Sequence, residues 1–259
     1  MKTFGFAVCA LFAGVSGSAM AATYTFGAVT TTGLGNTQTF AATSTAPGEV
    51  APSVKVSAWA STTSSVSSDI QQAYLESSGA QSLRVRSQGE TTASPDHAMD
   101  NAGTFEALLF DFGAGSKVDL DAVRLSWWSN DSDLTILAYT GGTAGYDPAS
   151  LFASGPATSF SGLTTSGWSL IGQPANIGTT TTAVNTTNQA SRFWLIGAGG
   201  LTGTSYAGSP DYVKLAAITT TNRTPTTPPP ATGVPEPESI ALMGAALAGM
   251  VFVRRRRQA

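Results

Sequence analysis

Val123-Arg124-Leu125-Ser126-Trp127 alternates apolar and polar side chains, and that period of two fits a half-buried β-strand and no helix. Tyr24-Thr25-Phe26, Val54 to Trp59 and Leu83-Arg84-Val85-Arg86 repeat the pattern. Leu134 to Tyr139, Arg192 to Gly197 and Tyr212 to Ile218 are nearly continuous apolar runs, as expected of strands covered on both faces. Phe105 to Phe112 is similar, although its periodicity alone also allows a helix. Between the runs lie Asn, Asp, Gly and Ser clusters such as Asn130-Asp131-Ser132-Asp133 and Thr140-Gly141-Gly142-Thr143. On this reading Val123, Leu125 and Trp127 share one face. One helical turn or two is expected at Asp69 to Leu75, where Ile70, Ala73 and Tyr74 have helical spacing. No internal repeat is visible. Eight to ten short strands with few helices predict a mainly β body over residues 22–221, a β-sandwich of jelly-roll type.

The two ends carry different signals. Lys2 precedes a mostly apolar stretch from Phe4 to Val15, and Ala19-Met20-Ala21 is a small-x-small cleavage site, so residues 1–21 read as a secretory signal peptide. The single cysteine, Cys9, falls inside it, which leaves the mature chain without a disulfide, a thiolate metal site or a Cys nucleophile. Lys2 and Arg254 to Arg257 hold five of the 13 basic residues, so residues 3–253 carry 8 basic against 16 acidic groups. That balance disfavours nucleic acid as a partner. Residues 222–233 are rich in Pro and Thr and form a spacer that cannot pack as helix or sheet.

Residues 234–259 begin Val234-Pro235-Glu236-Pro237-Glu238-Ser239, continue through the uncharged stretch Ile240 to Val253 and end on four arginines. As a helix, 14 apolar residues span about 21 Å, short of the roughly 30 Å hydrocarbon layer. Arg254, Arg255, Arg256 and Arg257 supply the cytoplasmic charge that stops transfer, and their long side chains snorkel to extend a short span. A single transmembrane helix over 240–253 with a basic tail over 254–257 is expected. The competing reading, an amphipathic core helix, lacks a polar face.

This order of parts resembles the PEP-CTERM sorting signal. The resemblance implies an exported protein whose partners are the secretion machinery and an exosortase, with Pro235, Glu236 and Pro237 as the recognised motif. It implies an inner-membrane-anchored precursor, processed near the motif, and then a cell-surface or extracellular form among exopolysaccharide and biofilm. The body in turn resembles a family of exosortase-dependent surface proteins of unknown biochemical role. The residues that carry this are Val54 to Trp59, Pro95 to Asn101, Trp127 to Asp133, Leu137 to Gly141, Gly167 to Leu170 and Phe193 to Ala198. It brings no catalytic residues.

Three constellations in the body could carry chemistry. His97, the only histidine, lies between Asp96 and Asp100, which suits a general base oriented by a carboxylate or a metal ligand. No G-x-S-x-G elbow accompanies it, and a loop whose carboxylates hold turns is the competing reading. Asn130, Asp131 and Asp133 offer oxygen ligands suited to Ca²⁺, but Ca²⁺ takes six to eight oxygens and no closing Glu follows at EF-hand spacing; a plain turn competes. Trp59, Trp127, Trp128, Trp168 and Trp194 could form a sugar-stacking platform, yet Trp127 and Trp128 must point to opposite faces of a strand, and most such rings belong in a core. The N-x-S/T triplets at Asn130, Asn185 and Asn222 carry no weight in a chain of bacterial origin, which the sorting-signal resemblance implies. The resulting expectation is a non-enzymatic, structural or adhesive surface protein without a cofactor, Ca²⁺ aside. A carbohydrate-binding module is the first alternative and a secreted hydrolase using His97 the second.

Overall fold

In a computed structural model of the chain, the residues described are 21–47, 50–79, 81–95, 97–142, 146–148, 159–203 and 209–223. All belong to a unit, Met1–Thr224, that is separate from Pro225–Ala259. The signal peptide before Ala21, Asp96, most of the spacer, the Pro-Glu-Pro motif, the apolar stretch 240–253 and the four arginines lie outside the described residues. No helix of the described residues is long and apolar enough to cross a membrane.

The alternating runs become strands because their apolar faces meet. The first half holds β1 (Ala21–Thr25), β2 (Thr37–Phe40), β3 (Ser44–Thr45), β4 (Val54–Ser61), β5 (Ile70–Gln72), β6 (Tyr74–Ser77), β7 (Leu83–Arg86) and β8 (Met99–Asp100). The second holds β9 (Glu106–Asp111), β10 (Val118–Asn130), β11 (Leu134–Tyr139), β12 (Trp168–Gly172), β13 (Thr182–Ala183), β14 (Ala190–Ser191), β15 (Phe193–Ala198) and β16 (Asp211–Asn222). They form two open antiparallel sheets. One runs β13-β10-β16-β1-β3, with β14 also on β10 and with β7, carrying β6, and β8 also on β16. The other runs β12-β11-β15-β9-β4-β2, with β5 also on β4. These sixteen strands exceed the eight to ten expected, in part because four of them (β3, β8, β13 and β14) have two residues and leave no periodic signature.

The main core lies between the sheets. Tyr24, Leu120, Val123, Leu125, Val213 and Leu215 come from one and Val56, Leu108, Phe110, Ile136, Trp194 and Ile196 from the other. Trp194 is fully buried, and its indole N–H donates to the Val118 carbonyl at 3.1 Å, tying β15 to β10 across the core. Burying such a ring contributes about 2–3 kcal/mol, provided the N–H finds a partner. A second cluster covers the outer face of the second sheet. It unites Trp59, Leu109, Leu137, Phe193 and Leu195 with Phe160, Leu163 and Trp168. Tyr146 stacks on Tyr139 at 3.7 Å and accepts from the Trp168 indole at 2.9 Å. Coverage on both faces explains why β9, β11 and β15 read as unbroken apolar runs. Gly197 of β15 is required by a close approach, since a Cβ there would lie 2.8 Å from the Glu106 carbonyl and against Leu201.

Two expectations are corrected. Asp69 to Leu75 is not a helical turn: Ile70 and Gln72 pair with Ser61 and Trp59 of β4, and Tyr74 and Leu75 pair with Arg86 and Val85 of β7. Strand partners satisfy the backbone there, and that tertiary pairing overrides a weak local preference. Trp127 does not share the face of Val123 and Leu125. Leu125 opposes Leu215, but Trp127 opposes Lys214, with a register shift between the two. The extra residue, Ser126, makes a β-bulge that rotates Trp127 onto the outer face of its sheet.

Candidate functional site

At the end of β10, Asn130 has φ +67°, a left-handed conformation that Asn tolerates, and it turns the chain into the 130–133 corner. The corner is closed from β16, 78 residues away. The Asp133 backbone N–H donates to Asp211 Oδ1 at 2.6 Å, and Asn101 Nδ2 donates to Asp211 Oδ2 at 2.7 Å. Asn101 Oδ1 accepts from the Asp211 N–H at 2.8 Å, and Asn101 Nδ2 also reaches the Gly199 carbonyl at 3.0 Å. Asp133 Oδ1 accepts from the Asn176 N–H at 2.6 Å, and Asp131 Oδ1 from the Ser132 N–H at 2.8 Å.

Carboxylate oxygens of Asp131, Asp133 and Asp211 thus come within 4.8 Å of one another. Burial, reinforced by the charges of Asp133 and Asp131, pushes Asp211 up to about 6, and burial raises Asp133 as well. This all-oxygen donor set suits Ca²⁺ and not zinc, and Asp131 and Asp133 are the residues that would hold it together with Asp211. Asn130 is exposed and serves the turn. Four of the six carboxylate oxygens already accept hydrogen bonds from the protein, and those bonds alone account for the corner. Thermal melts are therefore expected to be unchanged by millimolar Ca²⁺; a rise in Tm with added Ca²⁺ would show that the ion completes the corner.

His97 and Asp100 are not joined by a hydrogen bond among those observed. The His97 ring Nδ1 contacts the Ala93 carbonyl at 2.9 Å, and the ring lies 6.2 Å from that of Trp127. Asp100 is buried, and its Oδ1 accepts from the Ala102 N–H at 2.9 Å. Its own N–H donates to Glu106 Oε2 at 3.0 Å. Glu106 is fully buried, and its carboxyl faces Asp100 and Glu90, with a side-chain hydrogen bond to Glu90. Burial, then the charges of Asp100 and Glu90, hold its carboxyl well above the usual range. Physically this is a carboxylic acid kept neutral beside a carboxylate. Asp211 and Glu106 escaped the sequence reading because each is separated along the chain from the groups it meets.

Of the tryptophans, Trp59, Trp168 and Trp194 are core, Trp127 is half-buried, and Trp128 is 45% exposed. Trp128 opposes Val213 and Trp127 opposes Lys214, so the adjacent rings point to opposite faces and cannot form one platform.

Comparison with protein families adds the decisive feature at the other end, where residues 233–257 match a protein-sorting motif. The chain carries a PEP-CTERM motif. A PEP-CTERM motif indicates exosortase-dependent sorting to the cell surface, and it implies export with a membrane-anchored C-terminal signal and processing by an exosortase. Neither the curated proteins nor the solved structures give a match to the chain.

Proposed function

We propose that the body is a non-catalytic, structural or adhesive component of an extracellular polysaccharide layer. On this reading a cleaved signal peptide over 1–21 starts export, a transmembrane helix over 240–253 holds the precursor, and the exosortase delivers a jelly-roll-type body beyond the cell. The observation that carries it is the sorting motif at 233–257, reached through a Pro- and Thr-rich spacer suited to holding a domain away from a surface. Two features of the body support it. The carboxylates singled out in the sequence accept backbone hydrogen bonds that shape corners, and His97 spends a ring nitrogen on its own chain. The hydrolase reading would need the other ring nitrogen, Nε2, to face a nucleophile, and no hydrogen bond of Nε2 to a serine or threonine hydroxyl is found among the described residues.

Fractionation of cells with and without an exosortase tests the proposal. The body is expected in the polysaccharide matrix of exosortase-positive cells, and deletion of its gene is expected to weaken cell aggregation. Recovery wholly in the free medium, with aggregation unchanged, would overturn it. A carbohydrate-binding module is the second reading, favoured by a polar cleft beside β6 and β7.

A further inference from the structure

The bulge at Ser126 has a consequence on the outer face of the β10–β16 sheet. Leu83 opposes Leu215, which sets Arg84 of β7 beside Lys214 of β16, and Lys214 in turn opposes Trp127 of β10. Glu76 of β6 opposes Arg84 on its other side. A row Glu76–Arg84–Lys214–Trp127 therefore crosses four strands. Lys214 is 5% exposed, its ammonium sits 4.6 Å from the centre of the Trp127 ring, and no hydrogen bond or ion pair of that ammonium is found among the described residues. Burial and the neighbouring Arg84 charge both lower its pKa. Arg124, hydrogen-bonded to Gln81 at 3.2 Å, stands on the same sheet. With Arg86 of β7, four of the seven basic residues of a body that carries 14 acidic groups over residues 22–221 are thus gathered on β7, β10 and β16.

The row opens at β6 into a cleft of about 290 Å³. Its floor is Tyr74, Glu76, Arg84 and Arg86, and its wall is the loop containing Thr31 and Asn36. Asn36 pins that loop by accepting from the Leu75 N–H and donating to the Leu75 carbonyl, at 2.9 and 2.8 Å. Arg86 lies 3.9 Å over the Tyr74 ring and bonds Glu76 at 2.9 Å, while Arg84 Nη2 lies 3.0 Å from the other Glu76 oxygen. One carboxylate between two guanidiniums leaves the cleft positive, and Lys214 adds to that. Arg84 Nε is buried without a hydrogen-bond partner among the described residues.

We propose that this cleft binds an acidic polysaccharide, with sugar carboxylates against Arg84 and Arg86 and sugar hydroxyls against Glu76, Asn36 and Thr31. This rests on the reading of the body as a component of a polysaccharide layer and names the ligand class. A guanidinium presents paired donors that match a carboxylate. Glu76 and the remaining lone pairs of Thr31 Oγ1 and Asn36 Oδ1 accept from hydroxyls, which a sugar supplies in abundance. A nucleic acid offers a continuous phosphate ladder; Glu76 inside a short basic patch, on a body that is acidic elsewhere, opposes it.

The test uses the exported, processed protein titrated with polygalacturonate, with neutral dextran and duplex DNA as comparisons. Polygalacturonate is expected to bind, dextran and DNA to bind far more weakly, and the affinity to fall as salt rises. Arg86→Gln is expected to weaken binding about tenfold or more, since it removes a charge-assisted pair. Lys214→Met removes a desolvated cation facing another cation, so it is expected to leave Tm unchanged or higher while weakening binding about threefold. A residue of purely structural value would not separate stability from binding in this way. Equal binding of dextran, tighter binding of DNA, or wild-type affinity in both variants would overturn the cleft. If matrix retention holds while polygalacturonate fails, only this site falls; if retention fails, the broader reading falls with it.

Discussion

Replacing Pro235, Glu236 and Pro237 together by Ala is expected to abolish C-terminal processing almost completely. The three residues form the recognisable part of the motif that matches at 233–257. Their chemistry suits recognition: two prolines fix φ near −65° and remove two backbone donors, and Glu236 sets a carboxylate between them, with Glu238 directly after. Triple alanine removes both constraints and leaves the apolar stretch and the four arginines intact. The variant should still be exported and still be arrested, because arrest depends on residues 240–257 and not on the motif. Intact-mass analysis should find the unprocessed C-terminus retained, and the protein should sediment with membranes while the unaltered chain does not. An unchanged mass for the variant would mean that the enzyme reads some other part of the tail. Replacing Arg254 to Arg257 by Gln separates the two steps, since arrest would then weaken with the motif still present.

The parts of this protein that depend on nearest neighbours along the chain were readable from it. A sorting motif is linear by nature, and the strands with a clear period of two, such as β4 and β7, lie where alternation sets them. Residues 69–75 show where that stops. Ile70, Ala73 and Tyr74 satisfy a helical spacing, and only the unpaired edges of β4 and β7 decide in favour of strands. Trp127 fails for a related reason. Its alternation with Val123 and Leu125 is perfect in one strand, and the bulge that reverses it exists only in the register against β16. The acidic corner shows the same limit at longer range. Asp131 and Asp133 are visible as a pair of carboxylates, but Asp211, which accepts from the Asp133 N–H, arrives from β16, and Asn101, which fixes Asp211, from the loop after β8. The basic row was likewise invisible, because Arg84, Lys214 and Trp127 have nothing in common until three strands align.

The domain is expected to melt several degrees higher at pH 5 than at pH 8. Glu106, Asp121, Asp133 and Asp211 all have carboxyl groups raised from their ordinary values, and in each case burial is the leading cause. A raised acid holds its proton more tightly folded than unfolded. Below the unfolded value both states are protonated and nothing is lost. As pH rises from there towards the folded value, the unfolded chain releases a proton that the folded chain retains, and stability falls. For Asp211 that window runs from 3.8 to about 6, and the difference contributes at most about 3 kcal/mol. For a domain of this size, each kcal/mol moves Tm by about 2–4 °C. Glu106→Gln isolates one fully buried contributor. An amide cannot ionise, its oxygen can still accept from the Asp100 N–H, and its NH₂ can donate towards Glu90, where a carboxylate would be repelled. The variant should match the unaltered protein at pH 5, exceed it at pH 8 and show a flatter Tm profile between. A profile as steep as before would place the proton elsewhere, and a Tm that climbs with pH would mean that these carboxyls ionise in the folded state more easily than in the unfolded chain.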